Sequence, residues 1–237
     1  MGKRIISQRR GRATRRFIAP SHRYFAEAKH KTLDDKSYFG KVVEILHSTS
    51  HTAPLALIQY EDGNYSYIIA PEGIAVGDIV ATGKKAEIKV GNTMQLSEIP
   101  EGTLVYNIES KLGDGGKFVR SSGTFARVLA KTGDKVKILM PSKKEKEFHI
   151  NCRATIGVVS GGGRTDKPFI KAGNRWHAMR AKGRLYPIVS AVAMNAVEHP
   201  FGSGRGRHMG KPNIAPRNAP PGRKVGLVRP RRTGRIR

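Results

Sequence analysis

The chain has a single cysteine, Cys152, in 237 residues. One thiol excludes a disulfide framework and any thiolate zinc cluster built within the chain. His149 lies three residues before it, but two ligands do not make a zinc site, so Cys152 reads as a small, half-buried strand residue. Neither a metal nor another cofactor is expected. Long apolar runs are missing too. The longest, Ile188 to Val197, is broken by Ser190 and Asn195 and falls short of the roughly 18 apolar residues of a spanning helix. The N-terminus carries no apolar signal core, so Asn64-Tyr65-Ser66 reads as a hairpin turn rather than a glycosylation acceptor. These absences point to a reducing, cytoplasmic setting with no membrane partner.

Acidic residues are scarce as well: 18 Asp+Glu stand against 44 Lys+Arg, a net charge of +26. A domain of this size commonly carries a charge of magnitude about 2 to 8. So large an excess repels itself unless a polyanion neutralises it. Nucleic acid is the leading reading; an anionic membrane or an acidic protein is the lesser one. The excess is also uneven. Residues 1–36 carry a net +8, residues 37–170 only +3, and residues 171–237 +15. The two ends hold 19 of the 23 arginines, while the centre holds 13 of the 21 lysines. Arginine presents a flat fork that grips phosphate bidentately and stacks on bases, which lysine does not. Residues 201–237 contain seven Gly and five Pro and few large apolar side chains. Such a segment has little burial to offset about 1–2 kcal/mol of backbone entropy per residue, so it is expected to order only against phosphate. Extended, about 36 residues would reach on the order of 120 Å into an RNA.

From Tyr38 onward the pattern is strand-like. Tyr38 to Leu46 is rich in β-branched and aromatic residues. Leu55–Tyr60 and Tyr65–Ala70 flank Glu61-Asp62-Gly63-Asn64, a strong hairpin signal, and Ile79-Val80-Ala81 follows a Gly77-Asp78 turn. A second series runs Leu104–Ile108, Phe125–Ala130, Val136–Met140, Glu147–Ile150 and Thr155–Val159, with Lys131–Lys135 as its hairpin. No long helical periodicity intervenes. The expected fold is mainly β: an OB-fold barrel followed by an SH3-like barrel, with long basic irregular extensions. The expected division is 1–36 for the N-terminal extension, 37–85 for the OB-fold domain, 86–170 for the SH3-like domain and 171–237 for the C-terminal extension. One continuous β-sandwich is the alternative.

Several segments could carry chemistry. Gly113-Asp114-Gly115-Gly116-Lys117 with Arg120-Ser121-Ser122-Gly123-Thr124 is a glycine-rich loop whose amides could bind phosphate; a plain inter-strand loop is the competing view. It lacks the spacing of a nucleotide-hydrolysing loop. Gly161-Gly162-Gly163-Arg164 reads as a hinge with a basic end. Phe169 to Arg184 reads as a short helix or turn bearing Trp176 and His177 among Arg175, Arg180, Lys182 and Arg184, where the indole either stacks on an unpaired base or covers the barrel. Glu198 beside His199 suggests acid–base chemistry, yet adjacent side chains rarely point the same way and no nucleophile partner is evident. The alternating Gly202, Gly204 and Gly206 do not form a dinucleotide fingerprint.

Met194-Asn195-Ala196-Val197-Glu198-His199-Pro200, followed by Gly202 and Gly204, resembles the signature of the universal second protein of the large ribosomal subunit. Ala196 stands where many members have Pro, as in archaeal members, and Ser203 where they have Gly, a change that bears on close backbone approach. Gln8 to Arg12, Ala19 to Arg23, Ile99 to Gly102, Asn107-Ile108-Glu109, Cys152 to Gly157 and Arg217 to Gly226 extend the resemblance, in its archaeal form, over nearly the whole chain. It implies an OB-fold, an SH3-like barrel and extended tails on large-subunit rRNA near the peptidyl transferase centre. It also implies neighbouring ribosomal proteins, small-subunit rRNA at the intersubunit interface, and support of subunit association, tRNA binding and peptide bond formation. No small-molecule substrate and no catalytic residue are expected. His199 matches the family's contested histidine and is read as organising RNA. The rRNA-binding residues expected are Arg9, Arg10, Arg12, Arg15, Arg16, His22 and Arg23 at the N-terminal end. Lys117, Arg120, Ser121, Arg153 and Arg164 are expected in loops of the second barrel. Arg175, Trp176, Arg180, Met194, Asn195, His199, Arg205, Arg207, Arg217, Arg223 and Lys224 complete the set. Two other classes compete: a peptidyl transferase or RNA-modifying enzyme using His199, and a basic DNA-compacting protein.

Overall fold

A computed structural model describes residues 2–31, 36–84, 86–204, 208–214, 216 and 218. The contacts divide the chain into two compact units: residues 21–168, and residues 1–20 together with 169–237.

The larger unit is mainly β. Its strands are β1 Tyr38–Leu46, β2 Leu55–Tyr60, β3 Tyr65–Ile69, β4 Ile79–Thr82, β5 Thr93–Gln95, β6 Leu104–Tyr106, β7 Ala126–Thr132, β8 Lys135–Leu139, β9 Glu145–His149 and β10 Arg153–Ile156. They form one ladder in the order β3-β2-β1-β4-β5-β10-β6-β7-β8-β9. Every pairing is antiparallel except β4 with β5, which meet in parallel where Thr82 faces Thr93. Hydrophobic alternation explains the strands: along β8, Val136 and Ile138 are buried while Lys135 and Lys137 are exposed. The β2–β3 hairpin closes where Asn64 N–H donates to Asp62 Oδ1 at 3.1 Å and Gly63 takes φ 76.

The ladder is continuous, yet it wraps two separate cores. Val42, Ala56, Ile58, Tyr60, Ile68 and Val80 fill the first barrel, of OB type. Met94, Leu96, Ile99, Val105, Ile138 and Phe148 are among those filling the second, SH3-like barrel. Cys152 is fully buried in that second core rather than half-buried in a strand. A third cluster, including Ala28, Leu55, Ile69, Tyr106 and Val159, joins the two. Across it the Tyr106 hydroxyl donates to Ile69 O at 3.0 Å.

Three local departures from expectation have physical causes. β5 had no sequence signal, being three residues long and held mainly by β10, with Ala154 opposite Met94. Expected strand Leu104–Ile108 stops at Tyr106 because Asn107 turns left-handed, φ 48. Residues 28–31 are not loose extension but a strap over both barrels. Lys29 N–H donates to Tyr67 O and His30 N–H to Gly115 O, each at 3.1 Å.

Candidate nucleic-acid interface

The smaller unit buries little. Among its described residues the buried hydrophobic side chains are Ile5 and Phe201. Its first helix, α1 (Ile6–Gly11), carries Arg9 and Arg10 in the last turn, where cations oppose the carbonyl end of the helix dipole. Arg9, Arg10, Arg12, Arg15 and Arg16 are all exposed. Three of them, Arg9, Arg12 and Arg16, line a cavity of about 630 Å³ with Arg4 and Lys3. Glu198 is the one carboxylate on that wall. Phe17, Leu185, Val189 and Met194 are among its apolar lining residues, and Asn195 adds an amide. The structure thus brings together five of the residues singled out from the sequence, and adds Arg4, which sequence reasoning missed. Its neighbour Lys3 and the general charge excess were the only signals for it.

The expected helix is present as α2, Ala172–Ala181, and none of its residues is buried. Trp176 stands 38% exposed, with the Arg180 guanidinium 5.0 Å from its ring centre. Arg175 lies 5.0 Å over the ring of Tyr186.

Around His199 the chain closes into a small ring. Glu198 N–H and His199 N–H donate to Asn195 O at 2.9 and 3.2 Å, and Ser203 N–H returns to Met194 O at 3.3 Å. Gly202 is required by the closeness of this return: a Cβ there would stand at 2.4 Å from Asn195 O and 2.5 Å from Met194 O, both backbone atoms. Ser203, where the family pattern has glycine, adopts φ 68. The His199 side chain is buried, 6% exposed, and tilted against the Phe201 ring at 4.9 Å. Burial lowers its pKa from the ordinary 6.5, which favours the neutral ring. Phe201 N–H donates to His199 Nδ1 at 3.1 Å, so the ring proton belongs on Nε2. The lone pair a general base would use is already engaged, and what the ring offers is a donor. Acid–base chemistry with Glu198 has no support in this geometry.

The barrel loops redistribute the expected contacts. Lys117 and Ser121 are exposed, as are His22 and Arg23. Arg164 is exposed with Nε 3.3 Å from Ser122 Oγ. Arg153 must be withdrawn from the RNA-facing set. It is 4% exposed, and its Nε and Nη2 donate to Glu109 Oε1 at 3.1 and 2.8 Å. Arg120 is half-buried and spends its guanidinium on Gly116 O and on Ala28 O of the strap. The amides of the glycine-rich loop are likewise committed. Ser110 and Lys111 N–H donate to Asp114 Oδ2 at 2.9 and 3.1 Å, and Gly116 N–H to Asp114 Oδ1 at 3.0 Å. An internal carboxylate already fills the place a phosphate would take. Nor is Gly161-Gly162-Gly163 an open hinge, since Gly162 packs against Gly123 so closely that a Cβ on Gly123 would stand 2.6 Å from its Cα. Arg205, Arg207, Arg217, Arg223 and Lys224 lie outside the described residues.

Two small β-barrels joined by a buried seam, with arginine-lined extensions whose described residues bury few apolar side chains, define an RNA-binding protein of the kind built to coat and order a large folded RNA. Comparison with known families narrows this. Residues 3–82 match the family model "Ribosomal Proteins L2, RNA binding N-terminal domain" and residues 89–219 match "Ribosomal Proteins L2, C-terminal domain". The chain belongs to the ribosomal protein L2 family. Similar relatives include the large ribosomal subunit protein uL2 of Archaeoglobus fulgidus, 55% identical over 99% of both chains. That of Haloarcula marismortui is 53% identical over 99% of this chain and 98% of its own.

Proposed function

We propose that this chain is a non-enzymatic, structural constituent of the cytoplasmic large ribosomal subunit that binds and orders rRNA. The observation that carries this reading is the row of exposed arginines, Arg9 to Arg16, in a unit whose described residues include only two buried hydrophobic side chains, Ile5 and Phe201. Such a unit gains more from phosphate than from its own packing. Arg9, Arg10, Arg12, Arg15, Arg16, His22, Arg23, Lys117, Ser121, Arg164, Arg175, Trp176, Arg180, Met194 and Asn195 contact rRNA in this reading. Arg205, Arg207, Arg217, Arg223 and Lys224 extend the contact surface. His199 holds the loop from Met194 to Ser203 in shape and presents Nε2–H. The chain sits near the peptidyl transferase centre, beside neighbouring ribosomal proteins and small-subunit rRNA at the intersubunit interface. There it supports subunit association, tRNA binding and peptide bond formation without a catalytic side chain. Family membership and the engaged Nδ1 of His199 weigh against both the enzyme and the DNA-compacting alternatives.

Binding of the full chain to protein-free large-subunit rRNA tests the reading. With about 6–10 phosphates contacted, affinity should fall about 10³–10⁵-fold between roughly 50 and 200 mM salt. A flat salt response would refute it.

A further inference from the structure

The cavity of the smaller unit is more than a stretch of basic surface. At about 630 Å³ it lies within the range of roughly 300–1,000 Å³ that receives a compact organic ligand. Its lining mixes apolar side chains, Phe17, Leu185, Val189 and Met194 among them, with the cations Arg4, Arg9, Arg12 and Arg16. A second recess of about 480 Å³ shares Phe17 and adds Arg10, Lys182 and Arg184. The two segments that line these hollows pack against each other. Gly183, at φ 62, lies so close to the backbone of residues 17–19 that a Cβ would stand 2.7 Å from Ala19 N. Lys3 N–H also donates to Val197 O at 2.7 Å.

Duplex RNA cannot fill such a hollow, because its bases stay paired and stacked and offer only their edges in a shallow minor groove, never a free face. A free anion would leave the apolar lining unused. A nucleotide whose base is out of the stack matches both kinds of lining residue: a flat, largely apolar ring with phosphates on either side. We propose that this cavity receives one unstacked nucleotide of the rRNA. Its base lies against Phe17, Leu185, Val189 and Met194. Its phosphates are held by the surrounding arginines, and the chain of the RNA leaves through the second recess past Arg10 and Arg184. The exposed Asn195 amide, with a donor and an acceptor, reads the edge of that base. This rests on the rRNA-binding reading above and gives it a point of sequence recognition that phosphate contacts alone do not supply.

The test uses the full chain bound to protein-free large-subunit rRNA. Ultraviolet cross-linking should join the peptides carrying Phe17 and Leu185–Met194 to a single nucleotide, whose Watson–Crick edge is protected from chemical modification in the complex. Val189 is 54% exposed, so Val189→Trp fills the cavity with little threat to the fold. It should abolish that one protection and weaken binding about tenfold, the scale of one lost base–aromatic stack. The slope of log affinity against log salt should stay unchanged, because the phosphate contacts remain. Ala193→Phe, in the same lining, should reproduce both effects. An unchanged footprint in both variants, or cross-links from Phe17 scattered over many nucleotides, would overturn the inference while leaving rRNA binding intact. Failure of the wild-type chain to bind rRNA would overturn both readings.

Discussion

Glu109 is 0% exposed and holds four donors. Arg153 N–H reaches its Oε2 at 2.9 Å, Arg153 Nε and Nη2 reach Oε1, and Gly115 N–H reaches Oε1 at 3.4 Å. Glu109→Ala removes every one of these acceptors and leaves a guanidinium in the seam with 4% exposure and no counter-charge. Breaking a buried pair from one side costs about 3–5 kcal/mol. That is a large share of the roughly 5–15 kcal/mol that holds an ordinary domain together. In denaturant titration followed by circular dichroism, the barrel transition should move to much lower denaturant with little change in slope. The double variant Glu109→Met, Arg153→Met should recover part of the loss, because no buried charge is left unpaired, although the N–H groups of residues 153 and 115 still lose their acceptor. If Glu109→Ala costs under about 1 kcal/mol, or the double variant is as unstable as the single one, the pairing of these two charges is not what stabilises this part of the second barrel.

Two further outcomes follow from groups near that pair and from the His199 loop. His30 is buried, donates from Nε2 to Asn107 O at 2.7 Å, and has its pKa lowered to about 4, first by burial and then by the Arg153 charge. The unfolded chain therefore takes up a proton that the folded chain refuses between pH 6.5 and about 4. The corresponding stability, about 3 kcal/mol, is present above pH 6.5 and lost as pH falls through that window. His30→Gln, which keeps an amide donor near the Nε2 position, should flatten that part of the stability–pH curve; an unaltered curve would refute the assignment. Ser203→Gly should relieve the left-handed strain at φ 68, worth about 1 kcal/mol, and slow hydrogen exchange of the Ser203 amide about fivefold. Faster exchange would show that the strain is not there.

The barrels were legible because their strands alternate cleanly and their turns carry Asp-Gly and Gly-Asp pairs. The bounds of β1 and β2 coincide with the runs Tyr38–Leu46 and Leu55–Tyr60. β5 was not legible, because three residues held by a distant partner strand leave no periodic trace. Charge located the arginines but not their orientation. Arg12 and Arg153 look alike in sequence, and only the buried carboxylate of Glu109, 44 residues from Arg153, distinguishes one that faces solvent from one that holds a seam. The glycine-rich loop misled for the same reason. Its composition fits a phosphate cradle, but Asp114 sits within the loop and takes the amides itself.

The division of cations by task has a consequence for how the two units behave. In the larger unit the buried arginine is matched by an internal carboxylate, so the barrels can hold their shape before RNA arrives. Among the described residues of the smaller unit, five cations line one cavity with Glu198 as the carboxylate beside them, and Lys3, 4.0 Å from Glu198 Oε1, already shares that carboxylate. Bringing like charges together costs free energy that little apolar burial is there to offset. The neutralising charge must come from outside, and a phosphate backbone supplies it. Protection of the Lys3 amide, which closes the two chain ends onto each other through Val197 O, should therefore rise sharply on rRNA binding while the β7–β8 amides barely change. Equal protection of Lys3 in the free and bound chain would mean that the two ends hold together without the RNA.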